Sequence, residues 1–130
     1  MNTSVKFTRI VCTLDCPDAR ALAEFYAQLL GWRVMLSDDE PEWVDVLPPE
    51  GEDRGYAISF QQVEHYRAPE WPDGPTPQQA HLDLYVDSIE DAAAHAEQLG
   101  ARRHAVQPDE SGSYLVFTDP AGHPFCLCLA

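Results

Sequence analysis

Apolar and polar residues alternate, then fall into a rhythm of threes and fours, then alternate again, and the chain runs through this order twice. Lys6 to Leu14 sets Phe7, Ile10, Val11, Cys12 and Leu14 among β-branched Thr8 and Thr13, the pattern of a strand. Pro17 and Asp18 punctuate it, with Asp18 a ready helix N-cap. Ala19 to Leu30 places Leu22, Phe25, Tyr26, Leu29 and Leu30 at helical spacing, and Gly31 supplies the C-cap. Trp32 to Leu36 and Glu42 to Leu47 predict two strands around a polar turn, and Tyr56 to Val63 a third.

His65 to Ala80 has no period. It carries Pro69, Pro72, Pro75 and Pro77 with Tyr66 and Trp71, which reads as a proline-stiffened linker. A surface linker has little use for a tryptophan, so Trp71 is expected to pack on the domain or on a partner. The plan then repeats. His81 to Val86 alternates as a strand, Ser88 caps a helix over Ile89 to Leu99, and Glu90 and Asp91 sit where the helix dipole favours acids. Arg102 to Val106, Tyr114 to Thr118 and His123 to Leu129 predict three more strands, the last two joined by the tight turn Asp119-Pro120-Ala121-Gly122.

Each half is thus β-α-β-β-β. Aligning Leu30-Gly31 with Leu99-Gly100 gives an offset of 100 − 31 = 69 residues, which sets Asp87 on Asp18 and His81 on Cys12. The closing strands match at 122 − 55 = 67, through Gly55 and Gly122. Internal repetition of this kind implies a pseudo-symmetric fold with its working site between the halves. The 130 residues make one domain, with module 1 over 5–64, the linker over 65–80 and module 2 over 81–130.

A net charge of −14 argues against a phosphate-backbone partner, since Lys and Arg total only 8 and form no cluster. The same charge argues against an anionic membrane surface and favours a neutral or cationic ligand. No basic start followed by an apolar run marks a signal peptide, and no run approaches the roughly 20 apolar residues of a membrane span. A cytoplasmic protein is expected, with its four cysteines as free thiols.

Three motifs, Phe25-Tyr26-x-x-Leu29-Leu30-Gly31-Trp32, His81-Leu82-Asp83-Leu84-x-Val86-Asp87 and Asp119-Pro120-Ala121-Gly122-His123-Pro124-Phe125-Cys126-Leu127, fall in order across the chain. In these the sequence resembles the vicinal oxygen chelate superfamily, the glyoxalase/bleomycin-resistance/dioxygenase group, and within it the glyoxalase-like proteins of actinobacterial type. The resemblance implies an α+β fold in which two βαβββ modules pair into an open half-barrel sheet with the site on its concave face. It also implies a homodimer, because an open sheet leaves edge strands that need cover.

Metal-using members carry one ligand on the first and one on the last strand of each module. Through the offsets those positions are Cys12, Ser59, His81 and Cys126, and only His81 is a usual ligand of the family. A metal-free site follows, with no cofactor. The alternative is zinc, or another divalent metal, held by Cys12, His81 and Cys126, the ligand count of a catalytic zinc centre. Asp83 lies two residues from His81 and shares its face, so the two can form a couple in which the carboxylate orients the imidazole for proton transfer. Cys126 and Cys128 share a face for the same reason, whereas His123 points away from Cys126 and reads as structural. Trp43 and Trp71 can wall a flat or cationic ligand, and His65 and Tyr66 can lid it. The expected ligand-binding set is Cys12, Trp43, Ser59, Trp71, His81 and Cys126, with His81 and Asp83 as catalytic candidates. Two functions compete. One is a metal-independent cup for a small organic molecule; the other is a lyase, isomerase or dioxygenase using His81 with a metal or as general base. A weaker third reading is an adaptor docking through Trp71.

Overall fold

The computed structural model describes residues 5–52 and 55–130 and divides into two compact units that meet between Glu64 and His65. In the first, β1 (Ile10–Cys16), α1 (Ala19–Leu30), β2 (Arg33–Leu36), β3 (Trp43–Leu47) and β4 (Tyr56–Gln62) follow one another, and the sheet runs β1-β4-β3-β2. In the second, β5 (Leu82–Val86), α2 (Ile89–Gln98), β6 (Arg102–Arg103), β7 (Tyr114–Thr118) and β8 (Pro124–Leu129) give the same order, β5-β8-β7-β6. The α+β class and the βαβββ repeat expected from the sequence are therefore both present. In each unit the first strand is parallel to the last, and the remaining pairings are antiparallel.

The helices form where their caps and periods put them. Asp18 accepts from Ala21 N, and Gly31 closes α1 in the left-handed conformation with its N–H on Ala27 O. Leu22, Phe25 and Tyr26 turn one face of α1 inward, where Tyr26 stacks on Phe60 with ring centres 5.4 Å apart. Ser88 caps α2 by accepting from Asp91 N, and α2 buries only Ala93 and Ala96. In the second unit the bulk of the core is carried by the sheet, where Phe117 stacks on Phe125 at 5.7 Å and Leu127 is fully buried.

The pairing register corrects the alignment of the halves. The N-caps Asp18 and Ser88 differ by 88 − 18 = 70 residues, and so do the ends of β1 and β5, Cys16 and Val86. The same 70 holds where Val63 N donates to Cys16 O and Ala130 N to Val86 O. The stretch from N-cap to glycine is one residue shorter in the second unit, so the Leu-Gly signal gives 69 while the strands obey 70. His81 therefore matches Val11, not Cys12. A one-residue slip moves a side chain to the other face of a sheet. Cys12 pairs with Ile58, on the face where Leu14 and Phe60 pack under α1, whereas Ser59 pairs with Thr13 and looks the other way.

Several boundaries also move, among them the start of β5, which falls at Leu82 and leaves His81 just outside the strand. The first strand begins at Ile10, where pairing with Tyr56 begins, and leaves Phe7 almost wholly exposed rather than in a strand. The strand expected over Arg102 to Val106 stops at Arg103. Beyond it the Gln107 side chain takes over the edge of β7: its Nε2 donates to Val116 O at 2.7 Å and its Oε1 accepts from Val116 N at 2.9 Å. His123 precedes β8 instead of opening it.

The linker belongs to the second unit. Tyr66 Oη donates to Ala121 O at 2.9 Å and lies 3.2 Å from His123 Nε2. His123 Nδ1 meets the buried Asp119 carboxylate at 2.8 Å, and that carboxylate also accepts from Ala121 N and His123 N. His123 is thus structural, as the sequence predicts, though it lies in the turn before β8 and not on the strand, and Tyr66 fastens the linker to the β7–β8 turn. Farther on, Glu70 N donates to Thr76 O and Glu70 Oε1 accepts from Thr76 N, closing a loop around the cis Trp71–Pro72 bond. Trp71 packs edge-on against His104 at 5.0 Å.

Candidate functional site

The face of the second sheet opposite Phe117, Phe125 and Leu127 carries a cup. Cross-strand register gathers its floor: Asp83 lies beside Cys126, and Cys126 beside Val116; Tyr85 lies beside Cys128, and Cys128 beside Tyr114. Period-two alternation then brings His81 to the same side as Asp83. Trp71 and Gln78 from the linker and Pro108 from the β6–β7 loop complete the walls of a cavity of about 320 Å³. That volume lies at the small end of the range that holds metabolite-sized ligands.

The loops hold this shape through their own hydrogen bonds. Gln107, by gripping Val116 and His104 O, fixes the residue before Pro108. Asp109 accepts from Ser111 Oγ at 2.8 Å, Ser113 N at 2.7 Å and Tyr114 N at 3.3 Å, which orders the turn that delivers Tyr114 to the cup. The Ser111 hydroxyl and these backbone N–H groups hold the Asp109 carboxyl below the usual carboxylate range.

Three polar groups converge on the floor. His81 Nε2 stands 3.1 Å from Asp83 Oδ1. Burial, and then the neighbouring Asp83 charge, push the Cys126 thiol up to about 11, so near neutral pH the thiol keeps its proton. Cys128 is raised for the same two reasons. The cup therefore offers one carboxylate, an imidazole, two protonated thiols and two phenol rings, and none of its lining residues is a lysine or arginine.

Of the residues singled out in the sequence, the structure brings together Trp71, His81, Asp83 and Cys126. Trp43 and Ser59 meet in the first unit, where Trp43 Nε1 and Ser59 Oγ both donate to Asp45 Oδ1. Cys12 joins neither cluster: it is exposed, on the helix-bearing face of its own sheet. The lid expected of His65 and Tyr66 is not formed by Tyr66, which is tied to Ala121. Tyr85, Tyr114, Cys128 and Gln78 were not in the expected set. Alternation from His81 points to Tyr85 and alternation from Cys126 to Cys128, but Tyr114 needs the cross-strand register and Gln78 lies in a segment without period.

The zinc set also changes. Cys12 drops out with the corrected offset, and among the described residues the ligand-type atoms of His81, Asp83 and Cys126 lie within 4.8 Å of one another. A nitrogen, an oxygen and a sulfur donor with a fourth position open fit zinc's preferences. Those three residues would hold the ion, and Cys126 would bind it after losing its proton.

A family model described as a glyoxalase-like domain matches residues 11–128. The chain belongs to this family. It stands within the glyoxalase/bleomycin resistance/dioxygenase superfamily, as its three motifs imply. No curated protein matches the sequence significantly. Among solved structures, the bleomycin-binding protein of Streptomyces verticillus, complexed with copper(II)-bleomycin, aligns with a TM-score of 0.60 at 16% identity over 97% of this chain and 98% of its own. The genomically encoded fosfomycin resistance protein of Listeria monocytogenes aligns with 0.64 at 15% identity, over 98% and 91%. TnmS3, an antibiotic binding protein from Streptomyces sp. CB03234, aligns with 0.57 at 17%, over 98% of each chain. At such identities the likeness is one of fold. No helix among the described residues is long and apolar enough to cross a membrane.

Proposed function

We propose that this glyoxalase-like protein binds a small organic ligand, cationic or aromatic, in the cup of its second unit, and needs no metal to do so. The observation that carries the reading is the cup itself: aromatic walls from Trp71, Tyr85 and Tyr114 over a floor whose one formal charge is the Asp83 carboxylate. Aromatic faces attract flat and cationic groups, and a carboxylate without a lysine or arginine beside it favours a positive partner. The printed names of two neighbours, a bleomycin-binding and an antibiotic binding protein, support the same class of function. The ligand-binding residues of this proposal are Trp71, His81, Asp83 and Cys126, with Tyr85 and Tyr114 added; Cys12 is withdrawn, and Trp43 and Ser59 are left to Asp45.

The test is to titrate chelator-treated protein with a panel of small aromatic cations and follow backbone amide shifts. Shifts centred on β5, β7 and β8 support the proposal. No shift from any member of the panel, or shifts only after zinc is restored, overturns it.

A second reading has its own observation, the His81–Asp83–Cys126 cluster. In it His81, Asp83 and Cys126 would hold a zinc-type ion, which would supply Lewis acidity for the family's lyase, isomerase or dioxygenase chemistry. Stoichiometric metal in protein purified without chelator would favour it.

A cytoplasmic homodimer completes the proposal. Its support is the edge position of β1 and β5 together with bare apolar side chains near β1, including Phe7 at 93% and Ile10 at 73% exposure. A monomeric mass by light scattering at micromolar concentration would remove the dimer.

A further inference from the structure

Tyr85, Cys128 and Tyr114 stand side by side on the cup floor, one each on β5, β8 and β7, through the pairings Tyr85–Cys128 and Cys128–Tyr114. All three line the cavity. Tyr85 is 70% exposed, and Tyr114 and Cys128 are half-buried, so solvent reaches each of them. Rings in the core are paired, Tyr26 with Phe60 and Phe117 with Phe125. Tyr85 and Tyr114 are not: among the described residues neither touches another ring, and neither hydroxyl is hydrogen-bonded. Two open rings thus flank one small side chain.

Spacing says what fits between them. Neighbouring strands lie about 4.8 Å apart, so tyrosines two strands apart leave about 9.6 Å between their points of attachment. Aromatic rings pack with centres about 4.5–7 Å apart, so that gap takes one ring between two and has no room for a second. Asp83 lies two residues before Tyr85 on the same face of β5, about 6.6 Å back along the strand. An ammonium group one carbon off the ring would reach its carboxylate.

We propose that Tyr85, Cys128 and Tyr114 form a slot that takes one flat ring on edge, with a phenol on either side, and selects arylmethylammonium-type compounds over aliphatic cations. The proposal rests on the second-unit cup being the ligand site and names its ligand class. Cys128 is the specificity-determining residue, because a small side chain there keeps the slot deep enough for the ring. Stacking on two phenols rewards a π face, which a saturated ring of equal charge lacks. Asp83 draws the cationic end along β5.

Benzylammonium and cyclohexylmethylammonium carry the same charge on rings of similar size, and only the first is flat. Each is titrated into the full chain, with binding read from amide shifts of β5, β7 and β8 and folding from the rest of the spectrum. Benzylammonium should bind about tenfold more tightly, and its ring protons should move upfield, the mark of a ring held between two others. Tyr85→Leu and Tyr114→Leu should each weaken it about fivefold and reduce the upfield shift, whereas Tyr85→Phe and Tyr114→Phe should keep both. Cys128→Leu, in a chain whose spectrum is otherwise unchanged, should block benzylammonium; Cys128→Ser, of similar size, should not. Equal binding of the two amines, leucine variants at the tyrosines that lose neither affinity nor the upfield shift, or full binding by Cys128→Leu overturns the slot while leaving a ligand-binding cup intact. If neither amine shifts the cup of the folded wild-type chain, the cup reading falls and takes this inference with it.

Discussion

Asp83 Oδ1 lies 3.1 Å from the Nε2 of His81, the residue just before β5, and the same carboxylate stands beside Cys126 of the adjacent strand. One acidic group thus governs both an imidazole and a thiol. Burial and the Asp83 charge together raise the Cys126 thiol from an ordinary 9.0 to about 11. Asp83→Asn removes the second cause and leaves the first, so the alkylation midpoint of Cys126 should fall while staying above 9.0. Peptide-resolved iodoacetamide rates against pH will check it; a midpoint unmoved by Asp83→Asn would detach Asp83 from the thiol.

The same shift has a stability consequence with a definite sign. A thiol whose folded value is raised stabilises the fold below its unfolded value and loses that contribution as pH climbs through the folded one. The window therefore runs from 9.0 to about 11. Because the site is open to solvent, screening reduces the effect to about 1 kcal/mol. Urea unfolding at pH 8 and pH 11 should show Cys126→Ala losing less stability across this interval than wild type does.

Asp119 is buried and accepts from Ala121 N, His123 N and His123 Nδ1. Asp119→Ala leaves these donors without their acceptor in the interior of the turn, a loss of about 3 kcal/mol. Tyr66→Phe removes the bond to Ala121 O and should cost about 1 kcal/mol. Chemical denaturation gives both values. If Asp119→Ala unfolds at the wild-type midpoint, the clasp is not what holds the turn.

Gly122 combines a φ of +93° with a close approach: a Cβ there would stand 2.8 Å from Ala68 Cβ. Gly122→Ala should therefore destabilise by about 2 kcal/mol through backbone strain and the clash together. Ala68→Gly in the same chain should recover the steric part and not the conformational part. Full recovery in the double variant, by thermal unfolding, would show that φ contributes nothing.

Trp71 supplies a wall of the cup and packs on His104. Trp71→Ala should weaken binding of an aromatic cation at the cup about tenfold or more, from lost apolar and π contact, with the spectrum of the first unit unchanged. An adaptor would behave in the opposite way: Trp71→Ala would alter association with other proteins and leave small-molecule binding alone.

The repeat, both helices, the succession of strands along the chain and the membership of the family were legible in the sequence, because caps, glycines and hydrophobic periods are local signals that each half displays. Half of the site was legible in the same way. Cys126 and Cys128 share a face by virtue of being two apart on β8, and His81, one residue before β5, still reaches Asp83 as the same spacing predicts. What misled the alignment was also local: a stretch from N-cap to glycine one residue shorter in the second unit shifts Leu99-Gly100 against the strands by one position, and one position is enough to exchange Val11 for Cys12 and turn a presumed ligand to the opposite face.

The sequence by itself determined two βαβββ units and a polar pair at the start of the second one, since neighbouring residues fix their own secondary structure and its faces. Only the tertiary structure decided which side chains meet. Register across β5, β8 and β7 sets Asp83 beside Cys126, Tyr85 beside Cys128 and Cys128 beside Tyr114. Folding of the proline-rich linker back onto its own unit, through Tyr66 and the Glu70–Thr76 loop, brings Trp71 and Gln78 over them. Those contacts join residues far apart in the chain, and no local period encodes them.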